Sequence, residues 1–300
     1  MSAREALLPP PGTEHVPAFD AGWRGVGGEQ GASLPFLRYV DDKAVNWSEE
    51  LEDLHEQSSR QHFIDVWTRR AMLAHLGELP REPLLADIGC SSGYLLDDLR
   101  TRHPDATLIG IDMVASGLRK AHARIPQARL AQADACALPL RERSLDAALS
   151  ANLLEHLADD TRALAELRRV LRPGARAVVV VPSGPRLYDY YDRFLGHERR
   201  YARGELARKA HAAGLQVILD THVGVLLYPA FWLVKKRNRH LASLRGEQLR
   251  GRVARDIVGT EGSLAGKLAL VLEQRIARAG VPAPFGIRGL TVLRRPEERT

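Results

Sequence analysis

Leu84-Leu-Ala-Asp-Ile-Gly-Cys-Ser-Ser-Gly-Tyr94 is the stretch that decides the fold. Its first five residues are apolar except for Asp87, and such a run is typical of a central parallel strand with both faces covered. Gly89 and Gly93 follow with three small residues between them, which lets a ligand approach the backbone closely. Three leucines then recur at helical spacing, so a helix begins here with its free N–H groups towards the ligand. The stretch predicts a nucleotide-type binding turn.

The residues that this turn lacks limit the choice of ligand. No Gly-Lys-Ser/Thr follows it, which argues against a P-loop. Its glycines are spaced Gly-x-x-x-Gly, which differs from the dinucleotide fingerprint and argues against a pyrophosphate ligand. An acid at position 87 would repel a phosphate but would suit a cationic ligand.

The same stretch resembles motif I of the class I S-adenosylmethionine-dependent methyltransferases, which reads hydrophobic-hydrophobic-Asp-hydrophobic-Gly-x-Gly-x-Gly. Asp87, Gly89 and Gly93 match this pattern. Ser91 departs from it, because the family usually has its middle glycine there, and serine is the mildest replacement. The resemblance implies S-adenosylmethionine as the cofactor.

Two further apolar segments also end in an acid. Thr107–Asp112 is a predicted strand, and its terminal carboxylate lies at the interval where doubly wound folds bind a ribose. The next unit ends at Asp134, a position that meets the adenine amino group in the family. A fourth strand leads into 151–157, which resembles the family's segment flanking the cofactor. The implied cofactor-binding residues are Asp87, Gly89, Cys90, Ser91, Gly93, Asp112, Met113, Asp134, Ala135, Asn152 and Leu153.

Strands alternate with helices along the chain, which predicts a parallel sheet with right-handed crossovers. The resemblance implies an α/β, Rossmann-like, doubly wound sheet of seven strands, mostly parallel, with strand seven antiparallel. About sixty residues separate strands six and seven, where a short hairpin loop would be ordinary, so a helical insertion is predicted between them. The predicted strands lie near 84–88, 107–111, 128–132, 145–150, 175–182, 215–220 and 286–293. The predicted domains are a flexible N-terminal segment (1–40), two helices covering the cofactor site (41–80), the core (81–222 and 286–296) and a substrate lid (223–285).

The insertion has an uneven composition. Residues 223–234 are apolar but too few to span a bilayer, which needs about 20 residues. Residues 235–256 hold eight lysines and arginines against two acids, so this stretch alone has a net charge of +6. The whole chain has the same net charge, +6, so the basic character is confined to this stretch. Three interpretations stay open: contact with anionic lipid or an amphiphilic substrate, contact with RNA phosphates, and a lid with a solvated basic face. RNA is the weakest of these, because no RNA-binding module is recognisable.

The resemblance implies methyl transfer by in-line displacement, in which the protein positions two reactants and excludes water. A hydroxyl acceptor would benefit from a general base, and His197 and His156 are the candidates. The Asn/Asp-Pro-Pro-Tyr motif of amine-methylating enzymes on nucleic acid is absent, which favours oxygen or carbon as the acceptor atom. No metal ligands are predicted.

The predicted acceptor is therefore a small or amphiphilic molecule. The alternatives are an RNA methyltransferase using 235–256, a nucleotide-binding oxidoreductase, and a non-catalytic binding protein on the same fold. Two cysteines and no apolar leader predict a cytoplasmic protein, with peripheral contact at the inner face of a membrane through 223–256 as a further hypothesis.

Overall fold

A computed structural model describes residues 6–24, 33–40, 62–238, 241, 248–249, 252, 264–277 and 282–297. Its main sheet has eight strands in the order β10-β11-β9-β8-β5-β6-β7-β4. β11 runs antiparallel to both of its neighbours, and the other pairs are parallel. The strands are β1 (Ala18–Phe19), β2 (Trp23–Arg24), β3 (Ser33–Leu34), β4 (Leu37–Arg38), β5 (Leu84–Ile88), β6 (Thr107–Asp112), β7 (Arg129–Gln132), β8 (Leu145–Ala151), β9 (Leu171–Pro182), β10 (Gln216–Val223) and β11 (Arg288–Arg294).

Helices cover both faces of this sheet, as the apolar character of β5 requires. Leu84, Ala86 and Ile88 pack in one apolar core, whereas Leu85, between them, packs in the other. The predicted doubly wound, mostly parallel fold is confirmed. The described helices are α1 (Phe63–Ala74), α2 (Tyr94–Arg102), α3 (Ala115–Arg124), α4 (Asp160–Val170), α5 (Tyr190–Phe194), α6 (Glu205–Ala212), α7 (Tyr228–Arg237) and α8 (Leu264–Ala277).

The N-terminal segment differs from the flexible chain expected for 1–40. Leu7, Trp23 and Leu37 are fully buried, and the Trp23 Nε1 donates a hydrogen bond of 3.1 Å to the Leu130 carbonyl. β4 adds an eighth, parallel strand beside β7. The expectation is wrong for residues 6–24 and 33–40, because their large apolar side chains cover one face of the sheet. The first of the two helices expected over 41–80 lies outside the described residues.

Two strands have different limits from those expected. β9 begins at Leu171 and not at 175, because Leu171 already pairs with Leu145 of β8. The preceding helix therefore ends at Val170. β10 runs to Val223, three residues beyond its expected end.

The insertion leaves the sheet at the end of β10. β10 is parallel to β9, since both pair antiparallel with β11, so Val223 lies at the same sheet edge as Ile88. Glu273 of α8 is buried, and its carboxylate accepts hydrogen bonds from Gly224 N (2.7 Å) and Trp67 Nε1 (3.2 Å). This carboxylate therefore ties the insertion to α1. Of the helices described, none is both long and apolar enough to cross a membrane.

Candidate active site

A cavity of about 760 Å³ opens at the carboxyl ends of the parallel strands, the position where ligands bind in doubly wound sheets. One part of its wall is the rim formed by the turn after β5 and the ends of β6, β7 and β8. The other part is formed by α7, by the segments after β8 and β9, by the start of α1 and by Ile287 and Arg288 at the start of β11. Ten of the thirteen predicted site residues lie on this wall: Gly89, Ser91, Asp112, Met113, Asp134, Ala135, Asn152, Leu153, His156 and His197.

Asp112 is fixed at the rim by the backbone on both sides of it. Its Oδ2 accepts a hydrogen bond from Ser91 N and its Oδ1 accepts one from Val114 N, both at 2.8 Å. Ser91 reaches this position with φ of 45°, a left-handed conformation that glycine adopts more easily. Serine therefore holds this conformation at the cost of local strain.

The two glycines of the turn serve different purposes. Gly89 lies on the cavity wall with φ of +83°, and a Cβ added there would lie 3.0 Å from Leu153 Cβ. Gly93 has φ of +82°, and a Cβ there would lie 3.0 Å from Ala121 Cβ of α3. Gly93 thus permits helix packing behind the turn. In the part of the chain that is described, the cavity wall includes neither Gly93 nor the buried Cys90, so the structure does not place these two predicted residues at the ligand.

Asp87 also lies behind the rim, away from the cavity wall. It is 2% exposed, and its Oδ1 has no hydrogen-bond partner among the described residues. Burial, and then the negative charge of Asp112, raise the pKa of Asp87 to about 8 against the opposing effect of Arg69. A positive charge in the cavity would favour the ionised form of Asp87.

Asp134 and Asn152 complete the rim on the β7 and β8 sides. Asp134 Oδ1 accepts a hydrogen bond of 2.8 Å from Cys136 N, which holds the carboxylate close to its own backbone. Asn152 has φ of 52°, and its N–H donates to the Val180 carbonyl at 2.9 Å. Two non-glycine residues on this wall, Ser91 and Asn152, therefore hold left-handed backbone conformations, which is typical of functional sites.

The opposite part of the cavity contains the predicted histidines. The rings of His156 and His197 meet edge to face, with their centroids 4.7 Å apart. His197 Nδ1 lies 2.9 Å from Asp192 Oδ1. Glu155, next to His156, is fully buried. Burial raises the pKa of Glu155 to about 7, against the opposing effect of His197.

Asp192 joins α5 to α7 through buried charges. It is bonded to Arg200 Nε at 2.7 Å and to Lys235 Nζ at 3.2 Å. Burial alone would raise the pKa of Asp192, but the His197 hydrogen bond and the charges of Arg200 and Lys235 hold it well below its usual range. Lys235 also bonds Asp189 Oδ1 at 2.7 Å. Burial, and then the charge of Arg200, lower the pKa of Lys235.

The sequence analysis did not assign Glu155, Asp192, Arg200 or Lys235 to the site. Lys235 belonged to a basic stretch that was weighed as lipid-contacting, RNA-contacting or solvated, whereas its side chain is only 8% exposed. Among the residues of 235–256 that the structure describes, the arginine at 237 and Asn238 also line the cavity. A signal for Asp192 was present, since it lies in the same segment as His197, but nothing in the sequence says which of its acids faces inward.

Comparison with known proteins shows which family the central part of the chain is similar to. Residues 86–179 match the family described as "Methyltransferase domain". A demethylmenaquinone methyltransferase from Thermus thermophilus is 40% identical over 118 residues, which are 38% of this chain and 53% of that protein. A trans-aconitate 2-methyltransferase from Deinococcus radiodurans is 37% identical over 108 residues, which are 35% of this chain and 41% of that protein. The chain thus spans about half the length of these curated relatives.

A solved structure shows the same fold. It is phosphoethanolamine N-methyltransferase 2 from Haemonchus contortus in complex with S-adenosyl-L-methionine, with a TM-score of 0.56. The alignment covers 83% of this chain and 58% of that one at 14% identity, so it is a likeness of fold.

Proposed function

We propose that this chain, whose core is a class I S-adenosylmethionine-dependent methyltransferase domain, transfers a methyl group to an oxygen or carbon of a small amphiphilic molecule. One observation carries the proposal: a single cavity joins the carboxylate rim at the strand ends to an apolar region that holds two histidines. A donor at the rim and an acceptor beside the histidines would meet within this cavity.

The rim residues hold the donor in this proposal. The Asp112 carboxylate accepts hydrogen bonds from the two ribose hydroxyls, and the Asp134 carboxylate accepts one from the adenine amino group. Gly89 lets the donor lie against bare backbone, with Leu153 packed beside it. When bound, S-adenosylmethionine supplies a methyl group that its sulfonium has already activated. The protein contributes the alignment of the two reactants and the exclusion of water.

The acceptor occupies the region under α7. Leu227, Phe231 and Val234 give this region an apolar wall, which suits a molecule with a hydrocarbon part. His156 and His197 are the proposed catalytic residues, because they are the groups on this wall suited to easing the loss of an acceptor proton near neutral pH. Both curated relatives described above are named as methyltransferases of small molecules, and this supports the class of acceptor.

Calorimetry on the purified chain tests the donor, with S-adenosylmethionine, S-adenosylhomocysteine and NAD as the three titrants. We expect the first two to bind and NAD not to bind. Transfer of a labelled methyl group is then measured on a prenylated phenol, a fatty acid and a small polycarboxylic acid. His197→Asn should lower the turnover and leave the donor Kd unchanged. Binding of NAD in preference to the sulfonium compound would refute the proposal in favour of an oxidoreductase.

Helix α7, in the predicted substrate lid, has exposed apolar side chains through which the chain could take an amphiphilic acceptor from a membrane. We therefore extend the proposal to contact between α7 and an anionic lipid surface. α7 is apolar on two sides, since Phe231 faces the cavity while Trp232 and Leu233 are 42% and 62% exposed. Lys236 Nζ lies 5.1 Å from the centroid of the Trp232 ring. Exposed apolar groups beside cations are the composition that binds anionic membranes.

Sedimentation with phosphatidylglycerol and phosphatidylcholine vesicles tests this contact. The double variant Trp232→Ala/Leu233→Ser should lose binding to the anionic vesicles. Ile218→Ser is the matched control, because Ile218 is 39% exposed but lies on β10, outside the insertion. Equal sedimentation of the two variants would contradict lipid contact. Size-exclusion chromatography gives a second check. If the unaltered chain forms a dimer and the double variant does not, the partner of this surface is a second copy of the chain, and lipid contact is contradicted.

A further inference from the structure

Three side chains of types that can bind a metal meet in the part of the cavity wall under α7. Glu155 and His156 lie in the 3-10 turn after β8, and His197 follows α5. One potential ligand atom from each lies within 4.8 Å of the other two. The sequence analysis predicted no metal ligands.

Glu155 is the first indication that a cation belongs here. The residue is fully buried, yet in the part of the chain that is described neither of its carboxylate oxygens has a hydrogen-bond partner. Burying a carboxylate without a partner is costly, and such groups in proteins are normally paired or bound to a metal. Glu155 also lies on the cavity wall, where a ligand could reach it.

His197 is oriented as metal-binding histidines usually are. Its Nδ1 bonds Asp192 at 2.9 Å, which leaves Nε2 as the atom available to a ligand. A carboxylate behind a histidine fixes the tautomer and raises the basicity of the other nitrogen. Asp192 is itself held by Arg200, and the nearby Lys235 is paired with Asp189. These two cations are therefore neutralised and present little opposition to a bound metal ion.

We propose that Glu155, His156 and His197 bind a divalent transition-metal ion of the Zn²⁺ type. Two imidazole nitrogens and one carboxylate suit such an ion better than Mg²⁺ or Ca²⁺, which prefer oxygen ligands. Three protein ligands leave a coordination position open to the cavity. An acceptor hydroxyl bound there would lose its proton more easily, because the metal lowers its pKa. The part of this inference that concerns the acceptor rests on the proposed function.

Titration of the chelator-treated full chain with Co²⁺ tests the site through the visible d–d absorption of the bound ion, with competition by Zn²⁺. We expect one tightly bound equivalent. Glu155→Gln and His197→Asn should each weaken binding at least about tenfold. His211→Asn is the control, because His211 is exposed on α6 and should bind Co²⁺ as the unaltered chain does. Circular dichroism of each variant without metal checks that it has folded.

The outcomes separate this inference from the proposed function. Equal Co²⁺ affinity in Glu155→Gln, His197→Asn and the control would overturn the metal site. Binding of S-adenosylmethionine without any Co²⁺ binding would overturn the metal site alone. Co²⁺ binding that needs Glu155 and His197, in a chain that does not bind S-adenosylmethionine, would support the metal site and overturn the methyltransferase activity.

Discussion

Replacing Asp112 by asparagine tests the proposed ribose contact directly. Both carboxylate oxygens already accept one backbone N–H each, from Ser91 and Val114 at 2.8 Å. An ionised carboxylate has further lone pairs on both oxygens, so it can also accept two hydroxyl hydrogens from a ligand. Asparagine has one acceptor and one donor group. It therefore cannot accept both hydroxyls, and it loses the charge that strengthens these bonds.

The size of the effect follows from the strength of such bonds. Hydrogen bonds to a charged group contribute about 1.5–3 kcal/mol, which corresponds to about a 10- to 150-fold change in Kd. Asp112 is only partly buried, so solvent weakens its interactions and the lower half of this range is expected. The loss should be equal for S-adenosylmethionine and S-adenosylhomocysteine, because the two share the ribose and differ in the sulfonium charge.

Calorimetry with both compounds, at one pH and one salt concentration, measures the change. Asp105→Asn is the matched control, since Asp105 is an exposed carboxylate before β6. A folded Asp112→Asn variant that binds both compounds within twofold of the control would refute the ribose role. A loss confined to S-adenosylmethionine would show that Asp112 acts through its charge and not through the ribose.

Three further predictions concern groups around the site. The folded-state pKa of Asp87, about 8, lies above its ordinary value of 3.8, so the folded chain without ligand binds more protons than the unfolded one. The free energy of unfolding of the chain should fall by up to about 1.4 kcal/mol per pH unit as the pH rises from 3.8 to about 8. Denaturant titrations of Asp87→Asn at several pH values should lack this pH dependence. Gly89→Ala should cost about 1–2 kcal/mol of stability through its left-handed backbone and should also weaken donor binding. Gly12→Ala is the control for donor binding, because Gly12 has a similar φ of +77° but a Cβ there meets nothing within 4 Å; it should lose similar stability and bind the donor as the unaltered chain does. Glu273→Ala leaves the N–H groups of Gly224 and Trp67 Nε1 without their acceptor, which should cost about 1–3 kcal/mol of stability for each group. Hydrogen exchange over 264–277 should therefore become faster while β5 stays protected. Unchanged exchange would contradict the anchoring role.

Much of the fold could be predicted from local patterns. The apolar run 84–88 had to be covered on both faces, and alternate residues of β5 do pack into two separate cores. Acids at the ends of predicted parallel strands had to meet at one edge of the sheet, and Asp112 and Asp134 line the same cavity. Asp87 shows the limit of this reasoning, because its place in the motif does not reveal how deeply it is buried.

The packing of the N-terminal residues could not be predicted in this way. Their glycine and proline content indicated a loose segment, but burial depends on where the few large side chains find a surface. Trp23 finds one over β7, where its indole N–H bonds the Leu130 carbonyl across 107 residues of sequence. Composition averages over a segment, whereas packing is decided by single side chains.

The sequence by itself determined the parallel sheet and the position of its ligand edge, because hydrophobic periodicity and turn residues act over a few neighbouring positions. The tertiary structure alone decided which charged groups are removed from water. Lys235 and Asp192 are 43 positions apart, and Glu155 and His197 come from different loops, so their meeting depends on how α5, α7 and the sheet edge pack together. Burial and charge pairing are properties of that packing, and they give these residues their chemistry.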